Sequence, residues 1–338
     1  MLAIVKDKRG SGYAIKEVEI PRPKDDEVLI KVKAVGICGT DIPILKGIRE
    51  VPIPLIPGHE FAGDIVEIGS KVKDFKVGDK VTPAIVISCG RCYFCRKGLE
   101  TLCDNIKETG IHVDGAFAEY VTVPEKVVHR LPDNMTYEQG ASIDPVASAY
   151  HSVKMASIGS EETVVVFGPG PIGLYIIQIA KLEGAKKIIS VGVKGDEERL
   201  ELAKKLGADE TIISDKNLLT KISELTNGRM ADIVFDATGR ASVFETVLSS
   251  SRKKGTVIMI GISHEPTTAN IAQIVRREIQ IKGSLCYTWQ DYKECIELVE
   301  SNRVSVEPTI SHIFALKDID KALELIEQRK AIKIILHP

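Results

Sequence analysis

The stretch Thr163-Val-Val-Val-Phe167-Gly168-Pro-Gly170-Pro171-Ile172-Gly173 decides the fold of this chain. An uncharged, β-branched run leads directly into a glycine turn of G-x-G-x-x-G spacing, and an apolar stretch of helical length follows through Glu183. Strand, tight turn and helix in that order open a βαβ unit whose turn holds a dinucleotide. Gly168 permits the turn, Gly170 lets a pyrophosphate approach the backbone, and Gly173 lets helix and strand pack closely. Pro171 and Ile172 begin the helix, whose free N–H groups and positive dipole end suit phosphates.

Downstream, strand-type runs at Lys187-Ile-Ile-Ser-Val191, Thr211-Ile-Ile213, Ile233-Val-Phe235, Thr256-Val-Ile-Met-Ile260 and Ile279-Gln-Ile-Lys282 alternate with helical segments. This alternation predicts an α/β fold with a doubly wound parallel sheet over residues 144–285. Thr238 and Gly261, which follow two of those strands, are expected to line the nucleotide site. Upstream, Met1 to about Ser142 reads as short strands divided by Gly and Pro, a mostly β domain. A tail with helices at Gln290 to Ser301 and Asp318 to Gln328 closes on Lys333-Ile-Ile-Leu336 and is expected to return to the first domain. The expected division is therefore 1–143 with 286–338, and 144–285.

At the end of the second parallel strand, an Asp or Glu commonly holds the ribose hydroxyls of NAD. Counting back from Leu206-Gly207-Ala208, that position is Lys194, with Arg199 one turn into the next helix. Two cations there suit a 2′-phosphate, so NADP is favoured over NAD, with Asp196 or Glu197 as the alternative hydroxyl acceptors.

A chain of 338 residues suits two domains, and its 44% hydrophobic and 27% charged composition is that of a globular protein. A formal net charge of −2 gives no basis for a nucleic-acid or membrane-surface partner. Met1-Leu2-Ala3-Ile4-Val5-Lys6 reads as a first strand and not as a secretion signal, and no apolar run reaches membrane-spanning length. A soluble, cytoplasmic protein is expected, in which seven cysteines point to metal or redox chemistry before disulfides.

Cys89-x2-Cys92-x2-Cys95-x7-Cys103 gathers four thiols in a lobe at 88–104, with Gly90 and Gly98 allowing it to fold back. Tetrahedral zinc is the expected occupant, and a closed sulfur shell leaves no open position, so this zinc is structural. The spacing is neither ferredoxin pattern. Arg91, Arg96 and Lys97 are too few for a phosphate-binding ribbon. Separately, Gly36-Ile-Cys38-Gly-Thr40-Asp41 and Pro57-Gly58-His59-Glu60 offer Cys38, His59 and a carboxylate, the three protein ligands plus open position of catalytic zinc.

The Gly-His-Glu block, the four-cysteine lobe, Gly115-Ala-Phe-Ala-Glu-Tyr120 and the glycine turn occur in the order found in the medium-chain dehydrogenase/reductase superfamily, which the chain resembles over essentially its full length. The resemblance implies a GroES-like catalytic domain, two zinc ions per chain, and hydride transfer between an alcohol or ketone and NAD(P). It places Cys38, His59 and Glu60 at the catalytic zinc, with Thr40 passing on the substrate's proton. It makes Asp41 the carboxylate that orients the ligating histidine, although Asp41 also suits a helix N-cap. Asp144-Pro145 stands where polyol dehydrogenases carry Glu-Pro, so Asp144 is expected on the metal or reaching it through water. Among family members the chain is most similar to sorbitol and galactitol-1-phosphate dehydrogenases, and a polyol or sugar alcohol, phosphorylated or not, is the expected substrate. Smaller secondary alcohols and ketones, or L-threonine, are the alternatives. Pro43 replaces the histidine of other members' proton relay, and Cys286-Tyr287 replaces the Arg-Tyr pair of sorbitol dehydrogenases. A homodimer or homotetramer is expected. His112, His129, His151, His264, His312 and His337 are assigned no role.

Overall fold

The computed structural model describes residues 1–263 and 265–338, so His264 lies outside the described residues. The chain divides into two compact units, Met1–Asp144 with Thr288–Pro338, and Pro145–Tyr287.

In the first unit a seven-stranded sheet runs in the order Ile310–Ala315, Lys333–His337, Glu27–Gly36, Glu60–Ile68, Lys80–Pro83, Val128–Arg130, with Tyr120–Pro124 also pairing with Glu27–Gly36. Its apolar faces bury Ile4, Ile30, Val35, Phe61, Val81 and Phe117 in one core. The tail does return here: Lys333–His337 pairs antiparallel with the long strand, Ile335 opposite Gly36. Gly36 in turn stands opposite Glu60 on its other side. Gly36 is therefore flanked by both neighbours' chemistry, and its lack of a side chain matters: a Cβ there would lie 2.7 Å from Glu60 Oε2 and 2.7 Å from Lys333 Cε.

The second unit holds the expected doubly wound parallel sheet of six strands, ordered Glu210–Ile213, Lys187–Gly192, Thr163–Phe167, Ala231–Asp236, Ser251–Met259, Gln280–Gly283. Its central strands are buried on both faces, which is why they read as continuous Val/Ile runs without alternation. The strand order reverses between Thr163–Phe167 and Ala231–Asp236, and in such sheets ligands lie outside the carboxyl ends at that reversal. Among the described residues, no helix is long and apolar enough to cross a membrane.

Candidate active site and its metal centres

The first cluster follows from strand register. Glu27–Gly36 ends two residues before Cys38, and Glu60–Ile68 begins one residue after His59. Pairing Gly36 with Glu60 thus sets the two ligand candidates side by side. Donor atoms of Cys38, His59 and Glu60 all lie within 4.8 Å of one another, with His59 and Glu60 buried. Gly58, at φ +91°, makes the turn that delivers His59, and a Cβ there would strike the Phe117 ring.

Asp41 does not cap the short helix Asp41–Leu45; the cap position belongs to Thr40, whose side chain makes no capping hydrogen bond. The Asp41 carboxylate turns back instead, and its Oδ2 accepts from the Cys38 N–H at 2.8 Å. Its other oxygen, Oδ1, stands 3.6 Å from His59 Nδ1. Both of those atoms are buried and lack hydrogen-bond partners among the described residues. Buried polar atoms without partners are costly, and a cation drawing His59 into place would resolve the pair. Burial pushes the Asp41 carboxyl up, against the pull of His59, the Cys38 N–H and Lys333. Burial and Asp41 likewise push the Cys38 thiol up. A divalent cation reverses both tendencies, because thiolate and carboxylate are then the favoured forms. The donor set fits zinc: one sulfur, one imidazole and one carboxylate, three of the four ligands that tetrahedral zinc takes.

Lys333, which sequence reasoning missed, completes this neighbourhood. Its ammonium reaches over Gly36 to Glu60 Oε2, in a pair only 2% and 3% exposed, and also donates to the Ile37 carbonyl at 3.2 Å. Burial lowers its pKa to about 8 against the opposing effect of Cys38 and Asp41. No motif could have announced it, since 273 residues separate it from Glu60.

Asp144 is not in the three-residue group. It lies buried in the first turn of the helix Ile143–Ala156, where its charge acts on Tyr292 and helps burial raise that phenol. The Tyr292 hydroxyl is 2.7 Å from Thr82 Oγ1, which also donates to the Phe61 carbonyl at 3.0 Å, one residue from Glu60.

The second cluster is local. Cys92 caps the one-turn helix Tyr93–Arg96 and accepts from the Cys95 N–H. Gly90 and Gly98, at φ +72° and +71°, turn the chain back. The Cys92–Cys95 and Cys89–Cys95 sulfurs are 3.4 and 3.9 Å apart, close to the roughly 3.8 Å edge of a tetrahedron with 2.3 Å zinc–sulfur bonds. Backbone N–H groups of Arg91 and Cys92 pull the Cys89 thiol down to about 6, whereas burial and the Cys92 and Cys103 sulfurs push Cys95 up to about 11. Four thiols so placed call for a cation.

In the second unit, Gly168 has φ +91°, and a Cβ on Gly173 would lie 2.0 Å from the Gly168 carbonyl oxygen. A Cβ on Gly170 would meet nothing within 4 Å, so space lies open in front of the helix that starts at Pro171 and Ile172. This is the open approach and uncapped helix end that a pyrophosphate needs. Thr238 follows the Ala231–Asp236 strand and donates its N–H and hydroxyl to Asp236 Oδ1 at 2.9 and 2.7 Å. Its methyl lies 3.1 Å from where a Gly168 Cβ would be, and Gly261 packs against Gly239 beside it. Lys194 is exposed on the turn after Lys187–Gly192. Asp196, one of the alternative hydroxyl acceptors, is buried, accepting from the Val193 N–H at 3.0 Å and from Arg199 at 3.2 Å.

Residues 24–133 match the family "Alcohol dehydrogenase GroES-like domain" and residues 171–301 match "Zinc-binding dehydrogenase". The chain is 36% identical to a sorbitol dehydrogenase of Halalkalibacterium halodurans, covering 100% of this chain and 99% of the relative. It is 36% identical to a D-arabitol-phosphate dehydrogenase of Enterococcus avium, covering 97% and 96%. Among solved structures, a zinc-binding dehydrogenase of Sinorhizobium meliloti 1021 bound to NADP superposes with a TM-score of 0.92 at 32% identity, covering 100% and 99%. With both clusters and the glycine turn in place, the chain belongs to the zinc-containing medium-chain dehydrogenases, zinc-dependent and NAD(P)-linked enzymes that act on CH–OH groups.

Proposed function

We propose that the protein oxidises a secondary hydroxyl of a polyol or sugar alcohol, and reduces the corresponding ketone, with NADP as the preferred nucleotide. The observation that carries the reading is the Cys38, His59, Glu60 group, whose soft and hard donors converge with a position to spare. Bound there, zinc supplies Lewis acidity that lowers a hydroxyl's pKa, while a nicotinamide supplies the hydride acceptor.

The chain's own residues then have defined work. Thr40 is half-buried beside Cys38; its side chain makes no helix-cap hydrogen bond, and its hydroxyl lies against the Cys38 sulfur, where it takes the substrate's proton and hands it on. Pro43 offers no basic nitrogen to receive it, because its ring nitrogen is a peptide amide, so the proton leaves to solvent from Thr40. Asp41 orients His59. Lys333 restrains Glu60 and balances its charge. Asp144 acts from the neighbouring helix turn, beside Tyr292 and Thr82, and its place in an Asp-Pro pair supports the polyol reading over small alcohols. The closed four-sulfur lobe holds a structural zinc.

NADP is supported by two features: Lys194 exposed at the turn after the second parallel strand, and Asp196 bonded inward to Arg199. The edge strand Gln280–Gly283 offers a pairing surface for a homodimer or homotetramer. The reading is tested with a panel of polyols, small secondary alcohols and L-threonine under both nucleotides. Polyols are expected to give the highest kcat/KM and NADP the higher value of the two nucleotides. A large NAD preference would remove the Lys194 assignment, and turnover of small alcohols alone would remove the polyol one.

A further inference from the structure

We propose that a cavity between the N-terminal turn and the segment after the Asp41–Leu45 helix is an anion site that receives the phosphate of a phosphorylated polyol. The inference rests on the proposed polyol oxidation and narrows its substrate class. The cavity measures about 300 Å3, and its charged wall consists of Lys6, Lys8, Arg9 and Arg49 against a single acid, Glu50.

Two glycines bring these cations together. Gly10 and Gly47 have φ +78° and +69°, and a Cβ on Gly47 would fall 2.0 Å from the Gly10 carbonyl carbon. That backbone contact seats Lys8 and Arg9 across from Arg49. Lys6 lies beneath, 2% exposed, with its ammonium donating to the Gly12 carbonyl at 2.8 Å and to the Gly10 carbonyl. Carbonyls satisfy its protons but bring no net negative charge. Burial, and then Lys8, hold its pKa below the usual lysine value.

The nearby carboxylates only partly offset these cations. Asp7 is bonded to Lys16 at 3.2 Å. Glu108 is shared between His112 at 3.5 Å and Arg49 at 3.8 Å, a separation too long for a hydrogen bond to the arginine. Lys8 and Arg9 have no hydrogen bond or ion pair among the described residues. A positive concavity of this kind concentrates anions, and the planar guanidinium groups match phosphate oxygens two at a time.

One wall of the cavity is tied to the helix that follows Cys38. The Arg49 N–H donates to the Pro43 carbonyl at 3.0 Å, and the Ile48 N–H donates to the same carbonyl at 2.8 Å. The arginine's backbone thus folds back onto the helix that begins beside Thr40 and Asp41. That five-residue helix, about 7 Å long at 1.5 Å per residue, is the stretch of chain between Thr40 and the segment that carries Arg49. A substrate with a hydroxyl at Thr40 and a phosphate among the cations would use both ends. An unphosphorylated polyol would leave the cations unmet.

The test uses the full-length, zinc-loaded protein with NADP. D-Arabitol and galactitol are compared with their monophosphates for the wild type, Arg9→Ala and the Lys8→Ala/Arg9→Ala double variant, and inorganic phosphate binding is measured by calorimetry. Lys8 and Arg9 are exposed, so folding is unaffected by their loss. The phosphorylated member of a pair is expected to be favoured at least tenfold in kcat/KM, and that preference to fall at least tenfold in the double variant. Inorganic phosphate is expected to bind the wild type, to bind the double variant at least tenfold more weakly, and to compete with the phosphorylated substrate. Free polyols turned over with no phosphate preference, or a preference that survives the double substitution, would overturn the inference and leave the proposed reaction standing. No turnover of any polyol would count against the reaction itself. Calorimetry would then decide the anion site alone, absence of phosphate binding to the wild type overturning it.

Discussion

Lys333 and Glu60 form the pair on which the local chemistry turns, because a buried carboxylate beside a thiol and an imidazole needs either a cation or an ammonium. Removing the ammonium alone leaves Glu60 uncompensated, so Lys333→Met is expected to cost about 3 to 5 kcal/mol of stability, measured by chemical denaturation. The double variant Lys333→Met/Glu60→Gln should recover much of that loss, since no charge is then left unpaired. Recovery would be absent if Lys333 were merely filling space. His129 supplies a different test. Its ring lies between Trp289 and Tyr292, with centroids 4.7 and 4.6 Å away, and its Nε2 has no partner among the described residues. Burial, then Lys293, lower its pKa to about 4 from an ordinary 6.5. Above pH 6.5 the ring is neutral in both folded and unfolded chains. Between 6.5 and 4 only the unfolded chain takes up the proton, so stability falls as pH drops, by about 3 kcal/mol across the window. His129→Phe keeps the ring stacking and should flatten that part of the stability–pH curve. An unchanged slope would place the acid sensitivity elsewhere.

The glycine turn and the cysteine lobe are elements whose meaning is local, and both were legible for that reason. A strand, three glycines and a helix lie within one short stretch, as do four thiols within one loop, so spacing alone carried the geometry. The turn still separates two roles. Gly170→Ala meets no atom within 4 Å and should leave the melting temperature unchanged while weakening nucleotide binding tenfold or more, read by fluorescence titration. Gly173→Ala drives a methyl to 2.0 Å from the Gly168 oxygen and should lower stability by about 1 to 3 kcal/mol as well. The helix at Asp41–Leu45 was less legible. Its first acidic residue has the chemistry of a cap, yet the carboxylate serves the Cys38 amide, because the strand end beside it carries the greater need for a partner. Asp196 was equally hard to place from sequence, since its hydrogen bonds to the Val193 N–H and to Arg199 form only once the strand end and the next helix come together.

On the scale of the whole molecule, the doubly wound sheet and the mostly β unit were readable from hydrophobic runs and turn residues. Contacts that depend on strand register between distant segments were not. The returning strand Lys333–His337 was expected in the first domain, but only the pairing of Ile335 with Gly36 and of Gly36 with Glu60 shows that its lysine meets the metal ligand candidates. The cavity walled by Lys6, Lys8, Arg9 and Arg49 was hidden for the same reason, since its two sides come together only when Gly10 and Gly47 touch. Zinc should likewise be lost from two sites at different rates: a chelator is expected to remove activity before it melts the fold, because the four-sulfur lobe is coordinatively closed and the Cys38, His59, Glu60 site is open. The most direct measurement is zinc per chain, by elemental mass spectrometry, for the wild type and for His59→Ala. Two zinc ions in the wild type and one in a folded, nucleotide-binding His59→Ala variant are predicted. One zinc in the wild type, or two retained after the substitution, would contradict the account.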